Sequence, residues 1–207
     1  MRLFHHRVAL LSALLPVAVV IAACDQAPAP AATPPAAAPA AAAAPAQSPV
    51  ERGRVLVQVG GCNDCHTTKK LGPNGPEPDM TKELAGHMEA IKITAHYKPT
   101  PGTPWTIGTT DTLTAWSGAW GTTFAANLTP DPTTGTKAGA WSEALFIKAM
   151  KTGKHIGNGR DILPPMPWQM YSKLSEEDLK AIWAYLQSLP PIQNEVPDPI
   201  PPAGAKK

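Results

Sequence analysis

Two cysteines and a histidine stand at the spacing needed to attach a porphyrin covalently. Cys62, Cys65 and His66 belong to a CxxCH motif at residues 62–66. On a tight turn, thiols three positions apart can each form a thioether with a vinyl group at one porphyrin edge, and the adjoining imidazole then lies beneath the ring as an iron ligand. The motif therefore predicts one covalent haem c, with His66 as an axial ligand of its iron.

Two other kinds of site use the same residue types: a redox-active dithiol and half of a zinc site. A zinc site would need a further pair of Cys or His ligands, and no cysteine follows Cys65 in the sequence. A thioredoxin-like dithiol belongs in a βαβ unit, which the residues after His66 do not indicate. Haem attachment is therefore the favoured interpretation.

The iron needs a second axial ligand, and Met166 is the predicted one. Proline stands on both sides of this methionine, at 165 and 167, which restricts the backbone and lowers the entropy lost in holding one sulfur in place. The alternative is that Met166 only fills space, as buried methionines often do. The other candidate ligands are Met170, His155, His87, His96, Met80 and Met88.

The third cysteine, Cys24, ends an apolar leader. A positively charged N-terminal region with Arg2 and Arg7 precedes the apolar residues 8–21. This apolar stretch is shorter than a typical transmembrane helix. The residues Ile-Ala-Ala-Cys that end at Cys24 resemble the lipobox of bacterial lipoproteins. We predict a signal peptide at residues 1–23 and a lipid on Cys24 that anchors the protein to a membrane of the bacterial envelope, facing the periplasm. The alternative is an ordinary signal peptide that is removed together with Cys24.

Composition divides the rest of the chain. Residues 24–47 begin with Cys24 and are otherwise almost wholly Ala and Pro, which predicts a tether without a core. Residues 48–197 are the right size for one domain, and residues 198–207 are predicted to be a Pro-rich flexible tail. A net charge of only +2 does not indicate binding to nucleic acid.

Helix signals occur at three places. A capping box that begins at Ser48 predicts a first helix that runs to about Gly60. An apolar stripe predicts a second helix over residues 142–151, and a third is expected to begin at Ser175 and to end before Pro190. No segment alternates with a period of two, so we expect no sheet and an all-α fold.

The order of capped helix, CxxCH, long loop, helix, methionine-bearing loop and last helix resembles a class I cytochrome c. Four strings are similar to those of bacterial cytochrome c domains related to cytochrome subunits of membrane-bound dehydrogenases. They are FAANLTPD at 124–131, KHIGNGR at 154–160, LPPMPW at 163–168 and LSEEDLKAI at 174–182. The resemblance covers about residues 50–197.

The resemblance implies a class I cytochrome c fold around one haem, His66 and Met166 as axial ligands, and one-electron transfer as the activity. The chain has one CxxCH motif where multihaem dehydrogenase subunits have several, so we expect it to exchange electrons with separate proteins. These would be a dehydrogenase or quinol-side donor and a terminal oxidase or reductase. Because both axial positions would be filled, we expect an electron carrier rather than an enzyme. The alternatives are a peroxidase-like enzyme or sensor with an open or labile sixth position, and a tethered subunit of a dehydrogenase complex.

Other groups are expected to contact the haem or its ligand. The carbonyl of Pro73 or Pro130 is predicted to accept the distal N–H of His66, which would fix the orientation of the ring. Arg160 or Asn127 is predicted to hydrogen-bond to a haem propionate. The alternatives are that Arg160 is a solvated loop charge and that Asn127 is a turn former.

Residues 67–121, here called the insert, are more than a minimal cytochrome c needs after its CxxCH motif. They are rich in Thr, Gly, Pro and Trp, and a haem cover and a docking surface are both open as their role. The six tryptophans of the chain are interpreted as core or haem-packing residues.

Overall fold

The computed structural model of the protein describes residues 47–139, 141–202 and 204. The predicted signal peptide, Cys24 and all of the predicted tether except Gln47 lie outside the described residues. Within the described ranges, no helix has the length and the apolar composition that a membrane crossing requires.

Five α-helices form the main part of the fold in the described residues. They are α1 (Pro49–Val59), α2 (Cys62–His66), α3 (Glu143–Thr152), α4 (Trp168–Tyr171) and α5 (Glu176–Ser188). The three longest, α1, α3 and α5, lie where the sequence predicts helices, and α2 carries the CxxCH motif. Local sequence signals therefore account for most of the helical structure.

Serine caps begin the three long helices. The Ser48, Ser142 and Ser175 hydroxyl oxygens each accept a hydrogen bond from the backbone N–H three residues later, at 3.2, 3.3 and 3.0 Å. Each bond satisfies one of the donors that a helix start leaves free, which typically stabilises a helix by about 1 kcal/mol. At the other end of α3, Gly153 takes a left-handed conformation with φ 70°.

The first and last long helices, α1 and α5, pack against each other at close range. Gly53 of α1 lies against the backbone of Ala181 in α5, and a side-chain Cβ at Gly53 would stand 2.6 Å from the carbonyl carbon of Ala181. Arg52 of α1 also donates a 2.9 Å hydrogen bond from Nε to the Asp178 carboxylate of α5. The core around this contact includes Val57, Leu84, Phe146, Leu179, Ile182 and Leu186.

The expectation of no sheet is wrong, because the described residues include two small antiparallel sheets. β1 (Lys69–Gly72) pairs with β2 (Gly75–Pro78), and β3 (Gly108–Thr109), β4 (Ala115–Gly118) and β5 (Gly121–Phe124) pair in that order. β1 to β4 lie in the insert and β5 begins at its last residue. With two to four residues each, the strands are too short to show a period of two.

Side-chain hydroxyls connect the insert internally. Thr110, Thr112 and Thr114 form a chain of hydrogen bonds with 2.9 Å between successive Oγ1 atoms, and Thr114 Oγ1 lies 2.9 Å from Nδ1 of His87. These bonds satisfy polar groups in a region where Thr114 and His87 are both fully buried.

The segment after α5 is bound to the domain as far as Ile200, so the expectation of a flexible tail is wrong for its described first residues. Ile200 and Thr122 exchange two backbone hydrogen bonds, at 2.8 and 2.9 Å. Earlier in the segment, the buried Asn194 side chain donates to the carbonyls of Ala85 and His87 at 2.7 and 2.9 Å. The C-terminal segment therefore belongs to the fold.

The tryptophans divide into two groups. Trp183 packs on Phe146, with 5.5 Å between ring centroids, as expected of a core residue. Trp105, in contrast, is 70% exposed, so its interpretation as a core or haem-packing residue is wrong. It lies in a loop of the insert between β2 and β3, where nearby residues are also exposed.

Candidate haem-binding site

A cavity of about 780 Å³ lies between the helices, β5 and the segment after α5. This volume is typical of a pocket for a small molecule or cofactor. Much of its wall is apolar: Val57, Trp116, Phe124, Trp141, Phe146, Leu179, Ile182 and Leu186 all line it. Trp116 comes from the insert, so at least this part of the insert covers the cavity.

The CxxCH motif forms part of the cavity wall. Helix α2 places Cys62 and Cys65 three positions apart, on the same helical face, and both line the cavity together with His66. Gly61 precedes the motif in a left-handed conformation with φ 68°, which a residue without Cβ adopts readily and which turns the chain from α1 into α2.

The two thiols are unlike those of a redox dithiol. Burial raises the pKa of the Cys62 thiol to about 11, and burial also raises the pKa of Cys65. Reactive dithiols depend on a lowered thiol pKa that makes the thiolate available at neutral pH. The environment therefore argues against the redox-dithiol alternative.

The ring of His66 is oriented by a backbone carbonyl. Its Nδ1 donates to the carbonyl oxygen of Ala126 at 2.8 Å, so the predictions of Pro73 and Pro130 as the acceptor are wrong. Because a carbonyl only accepts, Nδ1 carries the proton and the lone pair of Nε2 is free to bind a metal. Burial lowers the pKa of His66, which favours the neutral imidazole that a metal requires.

Sequence reasoning missed Gly86, which brings the Ala126 carbonyl into place. Gly86 has φ 80°, and a Cβ at this position would lie 2.7 Å from the Ala126 oxygen and 2.6 Å from its carbonyl carbon. The N–H of Gly86 donates to the carbonyl of His66 at 2.8 Å, and that of His87 donates to the carbonyl of Ala125 at 2.9 Å. A single glycine in a loop gives no pattern that could have identified this role.

Most of the alternative iron ligands lie away from the cavity. Met170 and Met80 are 71% and 53% exposed. Both ring nitrogens of His87 are in hydrogen bonds, to the Thr114 hydroxyl and the Ile91 carbonyl. His96 bonds to Thr122 through Nδ1. None of these four residues, nor Met88, lines the cavity as far as the chain is described.

Besides His66, three methionine and histidine side chains of the described residues line the cavity: Met166, His155 and Met150. Met150 was not considered as a ligand from the sequence, because its place in the apolar stripe of α3 indicated a core residue. The structure agrees with that role, since Met150 packs against the hydrophobic core. His155 packs edge-on against Trp141, with 5.2 Å between ring centroids.

The two predicted propionate contacts differ in what their side chains already bind. The Oδ1 of Asn127 accepts from the N–H and the hydroxyl of Thr129 at 3.0 and 2.7 Å, and its Nδ2 donates to the Ile192 carbonyl at 2.8 Å. These bonds favour the turn-former alternative for Asn127. Arg160 is exposed and lines the cavity, with one 3.2 Å bond from Nη1 to the Asp161 carbonyl.

Comparison with known proteins decides the family. Residues 50–190 match the family described as cytochrome c. The chain belongs to the cytochrome c family. It is an electron-transfer haem protein, and its cofactor is a covalently bound haem c. The site fits this cofactor, because two thiols and a neutral imidazole share one wall of a largely apolar cavity.

Three relatives illustrate the relationship. A nicotinate dehydrogenase subunit of Pseudomonas putida is 29% identical over 148 residues, which are 72% of this chain and 9% of that protein. The gluconate 2-dehydrogenase cytochrome c subunit of Pantoea cypripedii is 32% identical over 136 residues, 66% of this chain and 22% of that protein. The alcohol dehydrogenase (quinone) cytochrome c subunit of Gluconobacter oxydans is 33% identical over 81 residues, 38% of this chain and 16% of that protein.

The chain spans less than a quarter of the length of each of these relatives. Two of the three are named as cytochrome c subunits of dehydrogenases, which confirms the predicted resemblance. The family also confirms the class I cytochrome c fold, with the two small sheets as an addition to the expected helices.

Proposed function

We propose that the protein is a one-electron carrier that accepts electrons from a dehydrogenase or quinol-side donor and passes them to a terminal oxidase or reductase. The observation that carries this proposal is the common cavity wall formed by Cys62, Cys65, His66 and Met166. Haem c, when bound, supplies a reversible one-electron change between ferrous and ferric iron.

Each of these side chains would have a separate role in binding the haem. Cys62 and Cys65 would attach the porphyrin, and His66, whose ring the Ala126 carbonyl orients, would supply Nε2 to the iron. Met166, which lines the same cavity, would supply its thioether sulfur to the iron. Arg160, at the edge of the cavity, is placed to hydrogen-bond to a propionate.

Thioether ligation suits an electron carrier. A neutral sulfur ligand favours the ferrous state and raises the reduction potential relative to two imidazoles. If His66 and Met166 both bind the iron, oxygen or peroxide would find no open site on it, which would disfavour the enzyme and sensor alternatives. The apolar wall keeps water out and limits the rearrangement of solvent when the charge changes.

The names of the relatives support a dehydrogenase as the source of electrons. They are dehydrogenase subunits, and two are named as cytochrome c subunits. A tethered subunit of a dehydrogenase complex remains a second candidate for the same reason. Co-purification from detergent-solubilised membranes separates the two, because a subunit keeps a stoichiometric partner and a free carrier does not.

The lipid anchor is part of the proposal and is tested independently of the haem. Replacing Cys24 with Ser should move the cytochrome from the membrane fraction to the soluble fraction, since the acyl chains could no longer be attached. Continued membrane association of the Cys24→Ser protein would contradict the anchor and indicate protein contacts instead.

The iron ligand is tested by comparing three variants of the cavity wall. Met166→Ala should leave the haem attached, abolish the far-red charge-transfer band of a methionine-ligated ferric haem, and lower the reduction potential markedly. Met150→Ala is the matched control, because it removes the other thioether of the cavity wall. His155→Ala removes the remaining candidate nitrogen ligand.

The absorption spectrum of each oxidised variant shows whether the far-red charge-transfer band is lost. Loss in Met166→Ala alone supports the proposed carrier. Loss in Met150→Ala, or in neither methionine variant, contradicts Met166 as the ligand. A ferric wild-type protein that is high-spin and lacks the band would favour the enzyme alternative with an open sixth position.

A further inference from the structure

The segment that carries Met166 has few backbone donors of its own. Three of the five residues at 163–167 are proline, which has no N–H. Among the described residues, one hydrogen bond joins this segment to a separate part of the fold: the Thr123 hydroxyl of β5 donates to the carbonyl of Pro164 at 2.5 Å. The remaining backbone bonds of the segment run to residues 168 and 170, on α4.

The direction of the Thr123 hydroxyl follows from its other neighbours. The indole Nε1 of Trp120 donates to Thr123 Oγ1 at 3.0 Å, so one lone pair of the hydroxyl is occupied. The carbonyl of Trp116 is a second acceptor within reach, but it lies 3.3 Å away. The single hydroxyl proton is therefore directed to the much closer Pro164 oxygen.

We propose that Thr123 is a positioning residue for Met166: its hydroxyl fixes the Pro164 carbonyl and thereby holds the methionine sulfur at the iron. This inference rests on the proposed function, in which Met166 is the axial ligand. Pro164 is two residues from Met166, and Pro165 between them restricts the intervening backbone. Thr123 is only 9% exposed and lines the same cavity as Met166, so its bond to Pro164 is shielded from competing water.

Competition by free imidazole measures how firmly the methionine is held. Imidazole binds ferric haem iron only when the methionine sulfur leaves, so a loosened sulfur raises the apparent affinity. Thr123→Val removes the hydroxyl with little change in shape and should raise the imidazole affinity of the oxidised holoprotein by roughly 3- to 10-fold, the equivalent of one net hydrogen bond. Thr123→Ser keeps the hydroxyl and should restore the wild-type affinity.

The neighbouring threonine of the same strand provides a matched control. Thr122 is also buried, at 2% exposure, but its hydroxyl bonds to Ser117 at 3.0 Å and lies 2.8 Å from Nδ1 of His96, away from the Met166 segment. Thr122→Val should therefore reduce the stability of the sheet and leave the imidazole affinity unchanged. This control separates a loss of positioning from a general loosening of the three-stranded sheet.

The outcomes distinguish this inference from the proposed function. If Met166→Ala loses the charge-transfer band but Thr123→Val binds imidazole with wild-type affinity, the inference is overturned and the proposed ligand stands. If Met166→Ala keeps the band, both are overturned. Equal increases in Thr122→Val and Thr123→Val also overturn the inference, because the effect would then not depend on the bond to Pro164.

A second variant covers the case in which Thr123→Val does not fold. Trp120→Phe keeps the Thr123 hydroxyl but removes the indole N–H that orients it, so the proton can turn toward the Trp116 carbonyl. We expect an increase in imidazole affinity that is smaller than the one from Thr123→Val. Wild-type affinity in Trp120→Phe would then overturn the inference.

Discussion

The helical frame, formed by α1, α3 and α5, and the insert differ in how their structure arises from the sequence. Each helix of the frame follows from neighbouring residues: a serine cap at its start and apolar side chains at helical spacing. The insert has strands of two to four residues, joined by threonine hydroxyls and by contacts with distant segments. Yet both regions contribute to the same cavity, with Val57, Phe146 and Leu179 from the frame and Trp116 from the insert.

This difference teaches where sequence periodicity is informative. In each helix of the frame, apolar side chains recur at helical spacing over ten or more residues. This periodicity can be recognised even where a single residue departs from it. In the insert and in β5, which follows it, single residues such as Gly86 and Thr123 determine the local geometry through a few contacts each. Substitutions in the frame should therefore destabilise the protein mainly by disturbing side-chain packing. Substitutions in the insert should act mainly by removing particular hydrogen bonds or close backbone contacts.

The largest expected effect is at the crossing of α1 and α5. Gly53→Ala would place a Cβ against the backbone of Ala181, which cannot rotate away, and we expect a loss of about 3 kcal/mol in the free energy of unfolding. Alanine favours a helix over glycine by about 1 kcal/mol, which is too little to offset the overlap. Thermal or denaturant unfolding of the holoprotein measures the loss.

The control for this prediction is Gln58→Ala, an exposed position on the same helix. It should leave the unfolding free energy within about 0.5 kcal/mol of the wild-type value. A Gly53→Ala protein as stable as Gln58→Ala would contradict the close approach of α1 and α5.

The second prediction concerns the carbonyl that orients His66. Gly86→Ala would displace the Ala126 oxygen and weaken its bond to Nδ1 of His66, which makes the imidazole less basic and should raise the reduction potential. Backbone strain and steric overlap should also cost about 2 kcal/mol of stability. The expected rise in potential is opposite in sign to the fall expected for Met166→Ala.

Gly102 is the matched control because its φ of 78° is nearly the same, while a Cβ there would meet no atom within 4 Å. Gly102→Ala should therefore introduce similar backbone strain without changing the potential. Equal potentials in the Gly86→Ala and Gly102→Ala proteins would show that the Ala126 carbonyl does not depend on Gly86.

The smallest expected effect is that of a C-terminal deletion, which tests where the folded domain ends. Deleting residues 198–207 removes Ile200 and its two hydrogen bonds to Thr122, so we expect a loss of about 1 kcal/mol in the free energy of unfolding. Deleting only residues 203–207 leaves this pairing in place and serves as the control. Identical unfolding curves for the two deletions would restore the original expectation of a flexible tail from 198.

The sequence predicted the parts of the site that depend on local spacing. Cys62, Cys65 and His66 were recognisable because one helical turn brings them together. Met166 was chosen as the second ligand because of its flanking prolines; it lines the same cavity, and its ligation of the iron is still a prediction. The acceptor for His66 was predicted wrongly, since Pro73 and Pro130 were chosen for local rigidity. The actual acceptor, Ala126, is selected by how the segment around Gly86 folds back over it.

The predicted tail, residues 198–207, was misjudged for a related reason. Its prolines suggested a flexible segment, but Ile200 pairs with Thr122 of β5, which lies far away in the sequence. Such pairings cannot be read from composition, because each one depends on the position of a carbonyl or N–H that another element has already fixed.

Residues 193 and 195–199 line the cavity and are among the last that the ribosome adds to the domain. Because synthesis proceeds from the N-terminus, Cys62 and Cys65 exist long before this side of their pocket does. We therefore expect a chain that stops before residue 193 to lack this side of the pocket and to leave both thiols more accessible to solvent.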